Sequence, residues 1–197
     1  MITQPTDEVL LKYTSGVLDP ALRLLVERHF EIVPGAKKRL PALNRFGGEL
    51  LTAESGVAMA TGSLESVLER LGKPEKREPA PAFPPLDKLG WRWAGPGRSI
   101  ANVEVAGSRM KSYALRIAPG RAMLQHSHAA HEWTLIVQGS YRDEGGEYST
   151  GSFIEEDEET DHQPVATGDQ DCICLAVMSG ALVAPGLIGK AARWLMR

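Results

Sequence analysis

Cysteine is nearly missing from this chain: the 197 residues hold two, Cys172 and Cys174, and none earlier. A disulfide framework is therefore excluded as the source of stability. Two residues apart on a strand, their Cα atoms would lie roughly 6.5–7 Å apart, at the edge of the disulfide range. Both are expected as reduced thiols, which suits the cytoplasm. Long apolar runs are also lacking. None approaches the roughly 20 residues of a membrane-spanning helix, and MITQPTDEVLLKY has no basic stretch followed by an apolar one, so no signal peptide is expected. Positive charge is not in excess. A net charge of −3 gives no electrostatic reason to expect direct nucleic-acid or membrane binding. What remains, 43% hydrophobic and 24% charged residues, is the balance of a soluble globular chain.

The first part of the chain has helical periodicity. Thr6 is placed to cap a first helix, with Asp7 and Glu8 in its positively polarised first turn. Asp19-Pro20 reads as an N-cap followed by proline at the first helical position, with Leu22, Leu25, Val26 and His29 on one face. A third helix carries Leu40, Leu43, Phe46, Leu50 and Leu51, weakened by Pro41 and by Gly47-Gly48. Ser63 opens a fourth with Leu64, Val67, Leu68 and Leu71, stopped by Gly72. Short amphipathic helices must bury their stripes against each other or against a partner. Residues 73–85, KPEKREPAPAFPP, hold five prolines, which oppose helix and strand alike and mark a linker. From Trp91 the period changes to two. SIANVEVA, YALRI, WTLIVQG and CICLAVM read as strands, and Trp91 and Trp93, sharing parity, are expected to pack on one sheet face. The last twelve residues, GLIGKAARWLMR, are weakly amphipathic and read as an edge element packed on the strands.

The expected fold is thus α+β: a four-helix domain over 1–72, a proline-rich linker over 73–88, and an antiparallel β-barrel over 89–197. Within the barrel, His126, His128 and Glu132 share parity, so an extended segment points all three to one side. Two imidazoles and a carboxylate that converge form a metal-site constellation, and His162 completes it if the sheet folds back. His131 has the opposite parity and should face away. The acidic run from Glu155 to Asp161 reads as a solvated loop or as an acidic mouth to the barrel. Cys172 and Cys174 read as small buried hydrophobes or as a redox pair near the metal, which would require a low-pKa thiolate.

Gly120, five residues, His126, one residue, His128, three residues, Glu132, six residues, Gly139: this spacing resembles the first cupin motif. The second motif begins at Gly151 and reaches His162, with Asp157, Glu159 and Ala166 where its proline, glycine and asparagine usually stand. Together with the helical front, the linker and the segments DETDHQPVA and DCICLAV, nearly the whole chain resembles ChrR-type anti-sigma factors of the extracytoplasmic-function class. In that family the front domain holds zinc through an upstream histidine and His-x3-Cys-x2-Cys. Here His29 occupies the motif histidine. Val33 and Ala36 fall at the cysteines, and the upstream position falls near Gln4. One ligand of four remains, so no zinc is expected there, and Val33 and Ala36 should extend apolar packing between the second and third helices.

The resemblance implies a transcriptional regulator rather than an enzyme. Its helical domain would bind an extracytoplasmic-function sigma factor, and its cupin would sense an oxidative signal through one divalent metal held by His126, His128, Glu132 and His162. Zinc is implied by the family. The ligand types alone also suit iron, manganese, nickel or copper. Two alternatives stand beside this reading. One is a metal-dependent cupin dioxygenase or isomerase, with Arg116, Arg121 and Tyr141 as pocket residues. The other is a small-molecule-binding cupin with a helical dimerisation domain, so a homodimer stays open.

Overall fold

The computed structural model describes residues 2–71, 73, 83–180 and 182–183, with backbone alone at positions 128, 182 and 183. Helix α1 (Asp7–Thr14) starts at Thr6, whose hydroxyl accepts from the Val9 amide. Helix α2 (Pro20–Ile32) starts at Asp19, whose carboxylate accepts from the Ala21 amide. The same carboxylate accepts from Ser108 Oγ at 2.6 Å and from the Arg109 amide at 3.1 Å. One cap therefore also fastens α2 to a loop between strands. Helix α3 (Leu40–Ala53) runs unbroken through Gly47-Gly48, against the expected weakening. Pro41 lies in its first turn, where its missing N–H has no helical acceptor to lose. Helix α4 spans Ser63–Leu71.

The strands are β1 (Arg92–Trp93), β2 (Arg98–Asn102), β3 (Lys111–Ile117), β4 (His126–His128), β5 (Glu132–Gln138), β6 (Ser140–Asp143), β7 (Gly146–Ser149), β8 (Phe153–Glu156), β9 (Asp161–His162), β10 (Val165–Thr167), β11 (Cys172–Met178) and β12 (Leu182–Val183). All described pairings are antiparallel. They give a six-stranded sheet in the order β1-β2-β3-β11-β5-β8 and two three-stranded sheets, β10-β6-β7 and β12-β4-β9. Side chains of all three sheets line one interior cavity, the arrangement of a cupin-like fold: Ile117 and Cys174 come from the first sheet, Tyr141 from the second and His126 from the third. Gly139, at φ 72°, turns β5 into β6. A Cβ there would lie 2.7 Å from the Asp171 carbonyl oxygen, so only glycine permits the approach.

The central strand β11 is buried on both faces, and alternation along it divides the work. On β11, Cys174, Ala176 and Met178 face the cavity, while Leu175 and Val177 join one apolar cluster with Leu10, Leu22, Leu25 and Phe30 of the helices. Helices α1 and α2 thus share a core with the sheet, and burial of each large apolar side chain there contributes about 1.5–3 kcal/mol. β8 is the outer strand of the sheet, and the N-terminal segment covers it: the Phe153 amide donates to the Thr3 carbonyl at 3.1 Å. This also shields an edge that would otherwise invite pairing.

Helices α3 and α4 differ. Neither contains a buried residue, and Phe46, Leu50, Leu51, Leu64, Leu68 and Leu71 are exposed. Trp93, expected to pack on a sheet face with Trp91, is 73% exposed. Trp91 alone packs, its indole N–H donating to the Leu86 carbonyl and its ring lying 4.3 Å from the Arg116 guanidinium. Most of the linker (74–82) and the amphipathic end (186–197) lie outside the described residues.

Candidate metal centre

β4 and β9 pair with His126 directly opposite His162. Both rings turn inward, and their Nε2 atoms are 3.1 Å apart. Each ring is fixed from its other nitrogen. His126 Nδ1 contacts the Leu124 carbonyl at 2.6 Å. His162 Nδ1 contacts Glu156 Oε1 at 2.7 Å and Asp143 Oδ2 at 3.2 Å. An acceptor at Nδ1 selects the tautomer that carries its proton there and leaves Nε2 as the donor atom for a metal.

Glu132 opens β5, is buried and borders the same cavity as His126. Its carboxylate accepts from Thr134 Oγ1 at 3.0 Å. The backbone of His128 lies in β4, paired with Leu182. The sequence-expected set is thus distributed over β4, β5 and β9, with His126 and His162 in mutual contact and Glu132 on the same cavity wall.

Asp143 escaped the sequence reading, and Glu156 entered it only as part of the acidic run. They and His162 each offer a ligand-type atom within 4.8 Å of the others. Parity could have found them. Asp143 is two residues beyond Tyr141, which faces the cavity, and Glu156 is two beyond buried Ile154 and pairs with Glu132 across the β5–β8 ladder. Burial lowers the basicity of His162, but the hydrogen bonds that it donates to Asp143 and Glu156 outweigh it and raise its pKa to about 10. Burial raises the Glu156 carboxyl above its ordinary value, with His162 opposing.

The donor set fits a divalent ion. Two nitrogens bound to one ion at about 2.0–2.1 Å stand about 3.0–3.4 Å apart, the separation of the two Nε2 atoms here. Two acceptor Nε2 atoms at 3.1 Å repel unless a proton or a cation lies between them. The cupin-like domain with its buried imidazoles and carboxylates is compatible with a metal. Beside it lies a cavity of about 90 Å³, walled chiefly by apolar side chains such as Ile100, Leu115, Met123 and Met178.

The other singled-out residues have different places. His29 is fully buried, its Nδ1 2.9 Å from the Gly151 carbonyl and its ring edge-on to Phe153. Val33 and Ala36 join the helix–sheet core, and Val33 packs on Gly151 of the barrel as well as near the helices. His131 stacks on Trp133, away from the site. The acidic run is not a uniform solvated loop: Glu156 is buried on His162, and Glu155 accepts from the amide and hydroxyl of Thr6. Cys172 and Cys174 are buried and unpaired by disulfide. A hydrogen bond with Cys172, then burial, pushes the Cys174 thiol well up, which keeps it protonated and unreactive. Of the pocket residues suggested for an enzyme, Tyr141 lines the cavity, whereas Arg116 stacks on Trp91.

Residues 83–182 match the family described as the ChrR cupin-like domain. The chain is 34% identical over 192 residues to the anti-sigma-E factor ChrR of Cereibacter sphaeroides, covering 90% of this chain and 89% of that protein. It also superposes with a TM-score of 0.73, at 34% identity, on a chain in the crystal structure of Rhodobacter sphaeroides SigE in complex with the anti-sigma ChrR, covering 90% of this chain and 98% of that one. Among the described residues no helix is long and apolar enough to cross a membrane.

Proposed function

The chain belongs to the ChrR family, and from that premise we propose that it is a cytoplasmic anti-sigma factor whose helical part binds a sigma factor of the extracytoplasmic-function class. Residues 1–72 form the sigma-binding unit, 73–88 the linker and 89–197 the sensing cupin. The observation that carries this reading is the apolar face of α3 and α4. Leu51 and Leu71 are each 77% exposed, and Phe46, Leu50, Leu64 and Leu68 lie exposed on the same two helices. The residues that α1 and α2 bury against the sheet are used by the fold, as are Leu40 and Leu43 of α3, whereas the exposed apolar residues of α3 and α4 are available to a partner. Covering them with a sigma factor would occlude the surface that the factor uses on RNA polymerase. Co-expression of the full chain with the cognate sigma factor tests this. Wild type should co-purify with it one to one, and Leu50→Asp/Leu51→Asp should abolish the complex while the protein keeps its fold. Undiminished binding by that variant would refute the assignment of the surface.

In the cupin, His126, His128, Glu132 and His162 hold one divalent metal, zinc by family likeness. Four protein ligands close a tetrahedral site, which favours sensing over turnover. The expected signal is oxidative, acting on the ligand shell so that the barrel changes its hold on the helices. The front site has lost its zinc: His29 is engaged with Gly151, and Val33 and Ala36 offer no donor atom. A cupin dioxygenase or isomerase is the second reading, favoured by the apolar cavity bordering His126 and Glu132. Stoichiometric iron with oxygen uptake would select it. One tightly held zinc per chain and no oxygen uptake would select the regulator.

A further inference from the structure

Of the two described imidazoles of the centre, His162 is held at Nδ1 by side chains and His126 by a backbone carbonyl. The His162 Nδ1 lies between Glu156 Oε1 at 2.7 Å and Asp143 Oδ2 at 3.2 Å, whereas His126 Nδ1 meets the Leu124 carbonyl. The side chains of His162, Asp143 and Glu156 are 4%, 2% and 9% exposed. Two carboxylates buried this deeply cost several kcal/mol each unless something answers their charge. The 2.7 Å separation is that of a charge-assisted hydrogen bond through one N–H. A proton on Nδ1 occupies the lone pair that an ion would need, so with that proton in place the three residues are hydrogen-bond partners and not ligands.

The three residues come from three different sheets. His162 lies on β9, Asp143 on β6 and Glu156 on β8. Glu156 also stands directly across from Glu132 in the β5–β8 ladder, so a candidate ligand and a carboxylate behind another ligand are cross-strand neighbours. We propose that Asp143 and Glu156 are positioning residues for the metal centre: they clamp the His162 ring by its Nδ1–H and so aim Nε2 at the ion. The inference rests on the metal reading given above and extends it to two residues that are not ligands. An N–H shared by two carboxylates makes the ring a stronger donor to the metal than a backbone acceptor does, because negative charge behind an imidazole raises its ligand basicity. His162 is then the ligand whose hold on the metal is set by side chains, and Asp143 and Glu156 are the residues that set it.

The test uses the full-length protein loaded with cobalt(II), which reports coordination through its visible absorption, and chelator competition for affinity. Wild type should bind one cobalt per chain, and His128→Ala should lose it. Glu156→Gln keeps an acceptor for Nδ1–H but removes the charge, and Glu156→Leu removes both. Affinity should fall in the order wild type, Glu156→Gln, Glu156→Leu, with a total loss of about 10–100-fold. Asp143→Asn should weaken binding less than Glu156→Leu, and Asp143→Asn/Glu156→Gln should alter the cobalt spectrum. The thermal midpoint of each variant stripped of metal serves as the structural control. Affinity and spectrum unchanged in the variants, with wild type loaded, would overturn the positioning role and leave the metal reading intact. Affinity that merely tracks the loss of thermal stability, with an unaltered spectrum, would overturn it too. Failure of wild type itself to bind cobalt would overturn the metal reading and the positioning role together.

Discussion

His29 in α2 and Gly151 at the mouth of β8 are joined by a 2.9 Å hydrogen bond from imidazole Nδ1–H to carbonyl oxygen, across 122 residues of sequence. The ring is fully buried in the seam between helices and sheet. His29 thus holds the helical unit onto the barrel directly.

This bond predicts a pH dependence. Burial lowers the pKa of His29 below its ordinary 6.5, against a smaller upward pull from Gly151. The folded state thus binds a proton less readily than the unfolded chain. The contribution of His29 is present above pH 6.5 and is lost as the pH falls through its folded value. His29→Asn keeps an N–H donor for Gly151 and does not titrate. The stability difference between wild type and this variant, from urea unfolding, should shrink between pH 7.5 and pH 5. A constant difference over that range would contradict the buried neutral imidazole. His29→Ala should cost about 1–3 kcal/mol at pH 7.5 for the orphaned carbonyl alone.

Gly151 makes the same seam sensitive to a single methyl group. Its φ is 93°, and a Cβ would lie 2.7 Å from Val33 Cγ2. Gly151→Ala should destabilise by about 1–3 kcal/mol through backbone strain, with the clash added. Val33→Ala in the same chain should recover the clash but not the strain. A double-mutant cycle measures the recovery, and strict additivity would mean that the two residues do not meet.

Metal uptake should release a proton. In the protein stripped of metal, burial disfavours the His162 cation, yet the hydrogen bonds of Asp143 and Glu156 hold its pKa at about 10, so His162 is charged at pH 7.5. A metal at Nε2 must displace that proton. Calorimetric zinc titrations in two buffers of different ionisation enthalpy should report about one proton from this residue, and none would exclude the raised pKa. The sign for stability follows: the folded state binds the proton more tightly, so the His162 contribution to the metal-free fold is full below pH 6.5 and is lost as the pH rises through about 10.

Glu155 makes a local prediction. Its carboxylate accepts from the Thr6 amide at 2.7 Å and from the Thr6 hydroxyl at 3.1 Å. Glu155→Ala should cost about 0.5–1.5 kcal/mol and speed amide exchange in the first turn of α1, while leaving α2 protected. Uniform acceleration in both helices would show that the contact is not local.

Much of this was legible in the sequence, for reasons that can be named. Thr6 and Asp19 cap where their side chains permit, and β2, β3, β5 and β11 follow the alternation or the apolar run that a strand requires. The spacing of His126 and His162 anticipates their contact, because the motif encodes two strands that pair in a fixed register. Asp143 and Glu156 were hidden for the opposite reason. Each lies beside a turn or in an acidic run, where carboxylates are ordinarily solvated, and only a histidine on another strand makes their burial tolerable. The docking of α1 and α2 on the sheet was hidden by the linker, since a proline-rich segment indicates that two parts are joined but not whether they touch. Gly47-Gly48 misled because helix-breaking is a tendency that an otherwise helical segment overrides.

On β8, Glu155 and Glu156 are consecutive, and a pleated strand turns consecutive side chains to opposite faces. Glu156 reaches His162 on the inside, and Glu155 reaches the start of α1 on the outside. One peptide plane thus has a metal-centre residue at one end and a helix cap at the other. A substitution or ligand that moves Glu156 on His162 is therefore expected to be felt at Glu155 and Thr6, a single residue away.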